Sequence, residues 1–316
     1  MPIPFLKMNG AGNDFVILDA RREPIRLNAE QIRLLAARGN TQTKGCDQVI
    51  IMEPPPIPNP QSPTPDLFMR IYNADGNEVN ACGNATRCVG WIVMDEKKTG
   101  NALVQTNAGI LACEINLWGA NQPGWKDATA LVTANMGAPK FGWQDIPLSQ
   151  PADTLHVKLD IDGISDPVCV GMGNPHAVFF VPDPEQINRI EKIGAQLQRH
   201  PMFPQGVNVS IAHITGNPLS GQIIARVWER GVGLTASCGT AACAVKVAAV
   251  RRELLSPGKY HTLTLMAPSP PEGEEPGNQT LMAKWDKNGQ VFLHGPVQVE
   301  FAGMADIPAL VAGSGI

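Results

Sequence analysis

The chain has 316 residues, which is enough for about two domains. Hydrophobic residues make up 43% of it and charged residues 17%, a composition that supports folded cores and excludes global disorder. The net charge is −4 and no basic block occurs, so a nucleic-acid partner has little electrostatic support. We expect neither a secretory signal nor a membrane span, because the apolar runs are too short, and we place the protein in the cytoplasm.

Short apolar or alternating runs predict eight strands, whereas fewer segments have a helical pattern. The predicted strands are 15–19, 48–53, 67–72, 111–117, 177–181, 221–229, 262–266 and 291–301. Helices are predicted after Asn28, where a capping-box pattern occurs, from Pro184 to about Gln198, and directly after Cys82 and Cys238. Many short strands and few helices indicate an α+β chain.

Two proline-rich segments interrupt this pattern, at 54–65 and at 268–278. The first has seven prolines in twelve positions, so we expect a stiff, exposed excursion there and a similar one at the second segment. The residues after Ala302 are small and weakly patterned, and we therefore assign 302–316 to a terminal tail.

Three short patterns recur in the same order in the two halves of the chain. The matches are Gly12-Asn13 with Gly173-Asn174 and Asp47 with Asn208, 161 residues apart, and Cys82-Gly83 with Cys238-Gly239, 156 apart. The shorter offset is explained if the first proline-rich segment belongs to one copy only. We predict an N-terminal repeat at 1–127, completed by a return strand at 284–301, and a C-terminal repeat at 128–283.

The seven cysteines are widely spaced, with no CxxC pair, and the six histidines do not cluster. This pattern predicts reduced thiols and no metal site. Cys82 and Cys238 differ from the other five because each directly precedes a helix that is apolar nearly all round. A helix N-terminus lowers the pKa of a thiol, and its free N–H groups bind anions. We therefore expect two acid/base thiols, each beside N–H groups that hold a carboxylate.

Five segments then point to one family. They are MNGAGNDFVILD (8–19), YNADGNEVNACGNATRC (72–88), GMGNPHAV (171–178), GVNVSI (206–211) and WERGVGLTASCGTAACA (228–244). In this order they resemble the diaminopimelate epimerase family over most of the chain. The resemblance implies two pseudo-symmetric domains, each a mixed sheet curled around a central helix. It also implies interconversion of LL- and meso-diaminopimelate, a small-molecule substrate, without pyridoxal phosphate, metal or any other cofactor.

The resemblance assigns roles residue by residue. Cys82 and Cys238 match the two catalytic cysteines, and His176 matches a histidine near the thiols. The matching substrate-binding positions are Asn13, Gln48, Asn73, Gly83, Asn84, Asn174, Asn208, Glu229, Arg230, Gly239 and Thr240. Among them, Glu229 and Arg230 form the charged pair for the distal amino-acid end of the substrate. The sequence departs from the family's pattern at Cys46, Ala85, Leu234 and Ala241.

Simpler interpretations exist for single residues. Asn13 and Asn174 suit turns after glycine, His176 suits a buried strand, and Glu229-Arg230 suits an exposed strand end. The segment 231–236 fits the GxGxxA pattern of a dinucleotide site, but the acid at the required spacing, Glu253, falls at a helix end.

Three functions therefore stay open: the epimerase, a related racemase or isomerase acting on another substrate such as proline, and a thiol-based redox sensor or small-ligand-binding protein. The epimerase explains both the cysteines and the asparagines. The oligomeric state is open as well, a homodimer being one alternative.

Overall fold

The computed structural model describes residues 2–55, 63–117, 125, 127–268 and 278–307. Most of both proline-rich segments and the end of the assigned tail lie outside these residues. Along the part of the chain that the structure describes, no helix is long and apolar enough to cross a membrane.

Strands dominate the described residues, as the sequence predicted. The strands are β1 Ile3–Gly10, β2 Asn13–Asp19, β3 Gln48–Glu53, β4 Leu67–Asn73, β5 Glu78–Val79, β6 Asn101–Thr106, β7 Gly109–Ile115, β8 Ala130–Asn135, β9 Asp160–Ile161, β10 Ile164–Ser165, β11 Val168–Gly171, β12 Pro175–Phe180, β13 Asn208–Thr215, β14 Gln222–Glu229, β15 Gly233–Thr235, β16 His261–Leu265, β17 Gln279–Trp285 and β18 Val291–Ala305. Each of the eight predicted strands overlaps one of them, and the α+β class is confirmed.

The helices begin where the capping residues predicted. They are α1 Ala29–Ala36, α2 Gly83–Lys97, α3 Ile190–Gln198 and α4 Gly239–Arg251, with a 3-10 helix at Pro184–Arg189 leading into α3. The capping box of α1 is confirmed, because the Asn28 side chain accepts from the Gln31 backbone N–H and the Gln31 side chain accepts from that of Asn28. The predicted tail begins too early, since 302–305 continues β18 and pairs with β1.

The described residues divide into two compact units. Unit 1 draws on Met1–Asn121, Trp125–Ala134 and Pro296–Ile316, and unit 2 on Asn135–Gly295. The boundaries of these compact units differ from the predicted repeat boundaries at 127 and 284. The ends of the two sequence repeats therefore stay a prediction.

In unit 1 the strands form a closed ring in the order β1, β2, β3, β4, β6, β7, β8 and the second half of β18, which pairs back with β1. Helix α2 packs against β1, β2, β6 and β7. Eleven of its fifteen residues are buried, which confirms that an all-round apolar helix lies in the core. Helix α1 packs on the other face of β3 with a separate apolar cluster.

In unit 2 the order is β11, β12, β13, β14, β16, β17 and the first half of β18. The segment after β8 bonds to Val291 of β18 through Met136 and Gly137, and to Gly171 of β11 through Lys140. Helix α4 packs against β11, β12, β13, β16 and β17, and eleven of its thirteen residues are buried. Unit 2 therefore repeats the plan of a sheet around one central helix.

Strand directions repeat between the units. In unit 1, β2–β3 and β4–β6 are parallel while β3–β4 and β6–β7 are antiparallel. In unit 2, β12–β13 and β14–β16 are parallel while β13–β14 and β16–β17 are antiparallel. Gly12 and Gly173 occupy equivalent turns of the two units. Their φ angles are 83° and 85°, values that only glycine adopts without strain. The two units are pseudo-symmetric copies of one fold.

The register corrects one sequence match. Phe15 pairs with Gln48 across β2 and β3, whereas His176 pairs with Asn208 across β12 and β13. Asn208 therefore corresponds to Gln48, and not to Asp47 as the sequence comparison predicted. The turn from Gly45 to β3 is one residue longer than the turn from Gly206 to β13, and this extra residue caused the slip.

Candidate active site

The first half-site, in unit 1, consists of Cys82, Asn13, Gln48, Asn73 and the backbone of Gly83 and Asn84. Cys82 is the N-cap of α2, with extended backbone angles (φ −149°, ψ 111°), and its carbonyl accepts the first helical hydrogen bond, from the Thr86 N–H. Its Sγ lies 3.7 Å from Oδ1 of Asn13. The thiol thus lies beside the N-terminal turn of a buried helix, where N–H groups lack helical partners and attract anions.

A charged cluster lies behind Asn13. Nδ2 of Asn13 donates to Oδ2 of Asp47 over 2.7 Å, and Oδ1 of Asp47 accepts from Nη2 of Arg38 over 2.6 Å. Arg38 also binds Asp14, which is paired in addition with the buried Lys7. Burial opposes ionisation of Asp14, but the hydrogen bonds from Arg38 and Lys7 prevail and lower its pKa to about 2. Burial, followed by repulsion from Asp14, raises the pKa of Asp47.

Gln48 and Asn73 lie opposite each other on β3 and β4. Nε2 of Gln48 donates to Oδ1 of Asn73 over 2.9 Å. Oε1 of Gln48 is buried and has no hydrogen-bond partner among the residues the structure describes. A buried amide with an unused acceptor is suited to receive a donor from a ligand.

The side chain of Asn84 is engaged within unit 1. Its Oδ1 accepts from Nη2 of Arg87 over 2.8 Å, and both residues are fully buried. Nη1 of Arg87 donates to the Pro296 carbonyl. The side chain of Asn84 is thereby held inside unit 1, which leaves the N–H groups of Gly83 and Asn84 as the predicted carboxylate-binding groups.

The second half-site, in unit 2, consists of Cys238, Asn174, His176, Asn208, Glu229, Arg230 and the backbone of Gly239 and Thr240. Cys238 is the N-cap of α4 with nearly the same backbone angles as Cys82 (φ −143°, ψ 106°). Its Sγ lies 3.5 Å from the hydroxyl of Thr240. That hydroxyl accepts from Nδ2 of Asn174 over 3.2 Å, and Oδ1 of Asn174 lies 2.7 Å from Nε2 of His176.

His176 is fully buried, and burial, followed by the charge of Arg230, lowers its pKa to about 3. The imidazole is therefore neutral at physiological pH and carries one N–H. Its Nδ1 is buried and has no partner among the described residues. An unpartnered acceptor costs less than an unpartnered N–H would, so we place the hydrogen on Nε2, where it donates to Asn174.

Cys238 differs from the sequence expectation. Burial raises the pKa of its thiol well above the ordinary value, and the negative charge of Glu229 raises it further. Hydrogen bonds from Thr240 and the Ala241 N–H act in the opposite direction but are weaker. The predicted lowering of the pKa is therefore wrong for this thiol, because burial and Glu229 outweigh the hydrogen bonds from Thr240 and Ala241.

Asn208 and Arg230 are linked through the backbone. Nδ2 of Asn208 donates to the Pro175 carbonyl and its Oδ1 accepts from the Arg230 N–H, both over 2.9 Å. The Arg230 guanidinium donates to the Gln205 carbonyl over 3.1 Å. Asn208 thus fixes the strand ends that carry its neighbours, and the exposed Arg230 presents a positive charge.

Sequence reasoning missed Asp47, Asp14, Arg38 and Lys7. Asp14 and Asp47 stand next to predicted site residues, and this adjacency is the one signal that pointed to them. Across the described ranges, no three His, Cys, Asp or Glu side chains are grouped as a metal ion would require.

Solved structures that share this fold include an epimerase, an isomerase and a member of the PhzF family. They include a hydroxyproline epimerase from Agrobacterium vitis (TM-score 0.57, 13% identity, covering 96% of this chain and 92% of that one). A methylitaconate-delta-isomerase has a TM-score of 0.60 at 15% identity, with 100% and 98% covered. A Bacillus anthracis phenazine biosynthesis protein of the PhzF family has a TM-score of 0.62 at 17% identity, with 97% and 99% covered. These similarities define the fold class.

Sequence comparison narrows this class to one family. The sequence model of the family described as diaminopimelate epimerase matches residues 5–141 and 168–267. The diaminopimelate epimerase of Acidiphilium cryptum is 42% identical over 307 residues, 97% of this chain and 98% of that protein. That of Rhodospirillum centenum is 40% identical over 299 residues, 95% and 91% of the two chains. The chain belongs to the diaminopimelate epimerase family, a family of isomerases.

Proposed function

We propose that this protein converts LL-2,6-diaminopimelate to meso-diaminopimelate by acid/base chemistry at Cys82 and Cys238, without a cofactor. The observation that carries the proposal is the placement of both thiols as N-caps of the two central helices in a chain of this family. Each thiol lies at a helix N-terminus, whose first N–H groups have no partner within the helix and suit the substrate α-carboxylate.

In the proposed reaction the two thiols act on opposite faces of one carbon. A thiolate removes the α-proton, and the electron pair left on carbon is stabilised by the carboxylate held at the helix N-termini. The other thiol then gives its proton to the opposite face and becomes the thiolate. Each turnover therefore exchanges the protonation states of the two cysteines, and proton exchange with solvent restores them.

In the second half-site, Glu229 and Thr240 support Cys238. The carboxylate of Glu229 hydrogen-bonds the thiol and is a local acceptor for its proton. The Thr240 hydroxyl accepts from Asn174 and so directs its own hydrogen at the sulfur, which stabilises the thiolate. Cys238 can thus reach the basic form despite its burial.

For the distal amino-acid end of the substrate, we propose Arg230 together with Asn73. The guanidinium of Arg230 can hold a carboxylate, and the amides supply the complementary donors and acceptors. By this proposal the enzyme works in the cytoplasm and supplies a precursor for lysine and peptidoglycan synthesis.

The test is incubation of purified protein with LL-diaminopimelate in deuterated water, followed by chiral chromatography and mass spectrometry. A two-thiol enzyme puts solvent deuterium into the meso product at low conversion, while unconverted substrate stays largely protiated. L-Proline, which lacks the distal charged end, should not be racemised. Absence of meso product, or product that is mostly unlabelled at low conversion, would contradict the proposal.

A further inference from the structure

The side chain of Asn13 lies between a carboxylate and a thiol. Nδ2 is 2.7 Å from Oδ2 of Asp47, and Oδ1 is 3.7 Å from Sγ of Cys82. The two ends of an amide have opposite hydrogen-bonding character, so the orientation of Asn13 decides what Cys82 meets.

Asp47 fixes that orientation. Its two oxygens accept from Nδ2 of Asn13, from the Asp14 backbone N–H at 3.1 Å and from the Arg38 guanidinium at 2.6 Å. A carboxylate that accepts a charged Arg38 donor is ionised and has no hydrogen to give. If the amide of Asn13 were turned round, its carbonyl would face the carboxylate and two acceptors would repel each other.

The consequence falls on Cys82. With Nδ2 committed to Asp47, the carbonyl oxygen of Asn13 faces the sulfur and can only accept. A thiol S–H satisfies that oxygen, whereas a thiolate would place negative charge against it. We propose that Asp47 is a positioning residue that, by orienting Asn13, keeps Cys82 as the protonated thiol before substrate binds.

The second half-site has the opposite arrangement at the equivalent asparagine. Oδ1 of Asn174 accepts from His176, so its Nδ2 points to the Thr240 hydroxyl, which in turn contacts the Cys238 sulfur. Cys238 therefore contacts a hydroxyl held by the donor end of Asn174 and the carboxylate of Glu229, whereas Cys82 meets the acceptor end of Asn13. Resting on the proposed function for the reaction itself, the acceptor at Asn13 makes Cys82 the thiol that enters the first turnover protonated.

The cluster around Asp47 keeps it in place. Arg38 bridges Asp47 and Asp14, and Lys7 holds Asp14 and the Gly45 carbonyl from the buried side. The titratable neighbours of Asp47 are thus Asp14, Arg38 and Cys46, the last a thiol whose pKa burial raises to about 12. The cluster holds the carboxylate in the position where it accepts from Nδ2 of Asn13.

The test measures alkylation of Cys82 by iodoacetamide against pH, with peptide mass spectrometry and no substrate. In Asp47→Asn the new amide can present either end, so Asn13 is free to turn and donate to the sulfur. We expect the pH midpoint of Cys82 alkylation to fall by about one unit. At pH values below the midpoints of the wild-type protein and the variant, the variant should then react about tenfold faster. Asp47→Glu keeps an acceptor and should keep the wild-type midpoint.

Asp14→Asn is the matched control for charge. It removes a carboxylate from the same cluster but leaves the Asn13–Asp47 hydrogen bond, so the Cys82 midpoint should move by less than about a third of a unit. An unchanged midpoint in Asp47→Asn, or an equal shift in Asp14→Asn, overturns the inference. Should the Asp47 variant not fold, side-chain amide NMR of the wild-type protein decides. Nuclear Overhauser contacts from the Asn13 amide protons to the Cys82 β-protons, and not toward Asp47, overturn it.

Failure of the inference and failure of the proposed function give different results. Alkylation needs no substrate. If the wild-type protein epimerises diaminopimelate but the alkylation midpoint of Cys82 does not change in Asp47→Asn, the positioning role alone is refuted. Protein that shows the expected alkylation shift but does not turn over diaminopimelate refutes the proposed function alone.

Discussion

The two half-sites share a backbone frame and differ in the groups placed on it. At equivalent strand positions, unit 1 has Phe15 where unit 2 has His176, and the strand register puts Asn73 where unit 2 has Glu229. The first half-site therefore presents amides around its thiol, whereas the second adds an imidazole and a carboxylate. The same helix N-cap geometry thus carries two thiols with different neighbouring groups.

The two central helices also carry different side chains at equivalent buried positions. Gly90 of α2 has Cys113 so close that an added Cβ would lie 2.7 Å from it. Lys246, which occupies the equivalent position of α4, is fully buried and donates to the Ser256 carbonyl and to Nδ1 of His261. A repeated fold therefore fixes backbone position, while side chains at equivalent positions are free to diverge.

The largest expected effect is loss of either thiol, which tests whether both half-sites are needed. Cys82→Ala and Cys238→Ala should each lower kcat by about 100- to 10,000-fold, because one thiol serves one face only. Cys88→Ala and Cys243→Ala, at buried positions of the same helices, are the matched controls and should retain activity within about threefold. Near-normal turnover in either of the first two variants would show that the second thiol is dispensable.

A smaller loss of activity is expected when Glu229, the carboxylate of the second half-site, is replaced by an amide like the one in unit 1. Glu229→Gln should lower kcat by about 100-fold, since the acceptor for the Cys238 proton is lost. In the protein without substrate, the same substitution is expected to make the Cys238 thiol easier to ionise. Glu229 raises the pKa of Cys238, so its removal should shift Cys238 alkylation to lower pH. Glu229→Asp, which keeps the charge, should preserve more activity; equal loss in both variants would mean that position, and not charge, matters.

The Thr240 hydroxyl tests the donor that unit 2 aims at its thiol. Thr240→Val should lower kcat by about tenfold and move Cys238 alkylation to higher pH, because the thiolate loses a hydrogen bond. Thr240→Ser retains the hydroxyl and is expected to stay near wild type in both measurements. If the serine variant loses as much as the valine variant, the methyl group and not the hydroxyl carries the effect.

The smallest effect on catalysis is expected at Lys246, whose contribution is to stability. Burial lowers its pKa to about 7 from 10.5, so between these values the unfolded chain binds a proton that the folded protein does not. The free energy of unfolding should therefore rise with pH across this interval, by at most about 1.4 kcal/mol per unit. Denaturant titrations of Lys246→Met should show a flatter dependence, and an unchanged slope would assign it to other groups.

Local patterns accounted for most of the fold. The capping box at Asn28, the strands and the two helices behind Cys82 and Cys238 are written in consecutive residues, and each was predictable from the sequence. The pseudo-symmetry was predictable as well, except for the register of β3, where a turn of different length displaced the match by one residue.

What the sequence could not provide depends on distant partners. Asp47 meets Asn13 across 34 positions of chain, and Lys246 meets His261 across 15. The pKa of Cys238 was predicted in the wrong direction because the helix terminus is visible in the sequence, whereas the depth of burial is not. The amide orientation of Asn13 likewise follows from which group faces each end, and this requires the folded neighbours.

The division of β18 has a consequence for the order of folding during synthesis. Nearly all of unit 2 comes from one continuous stretch, Asn135–Gly295, which contains its own central helix. Unit 1 closes only when residues up to Ala305 pair with β1, from Ile3 onward. The strand β1 therefore leaves the ribosome about 290 residues before its β18 partner, and that edge of β1 stays unpaired until Ala305 has been made.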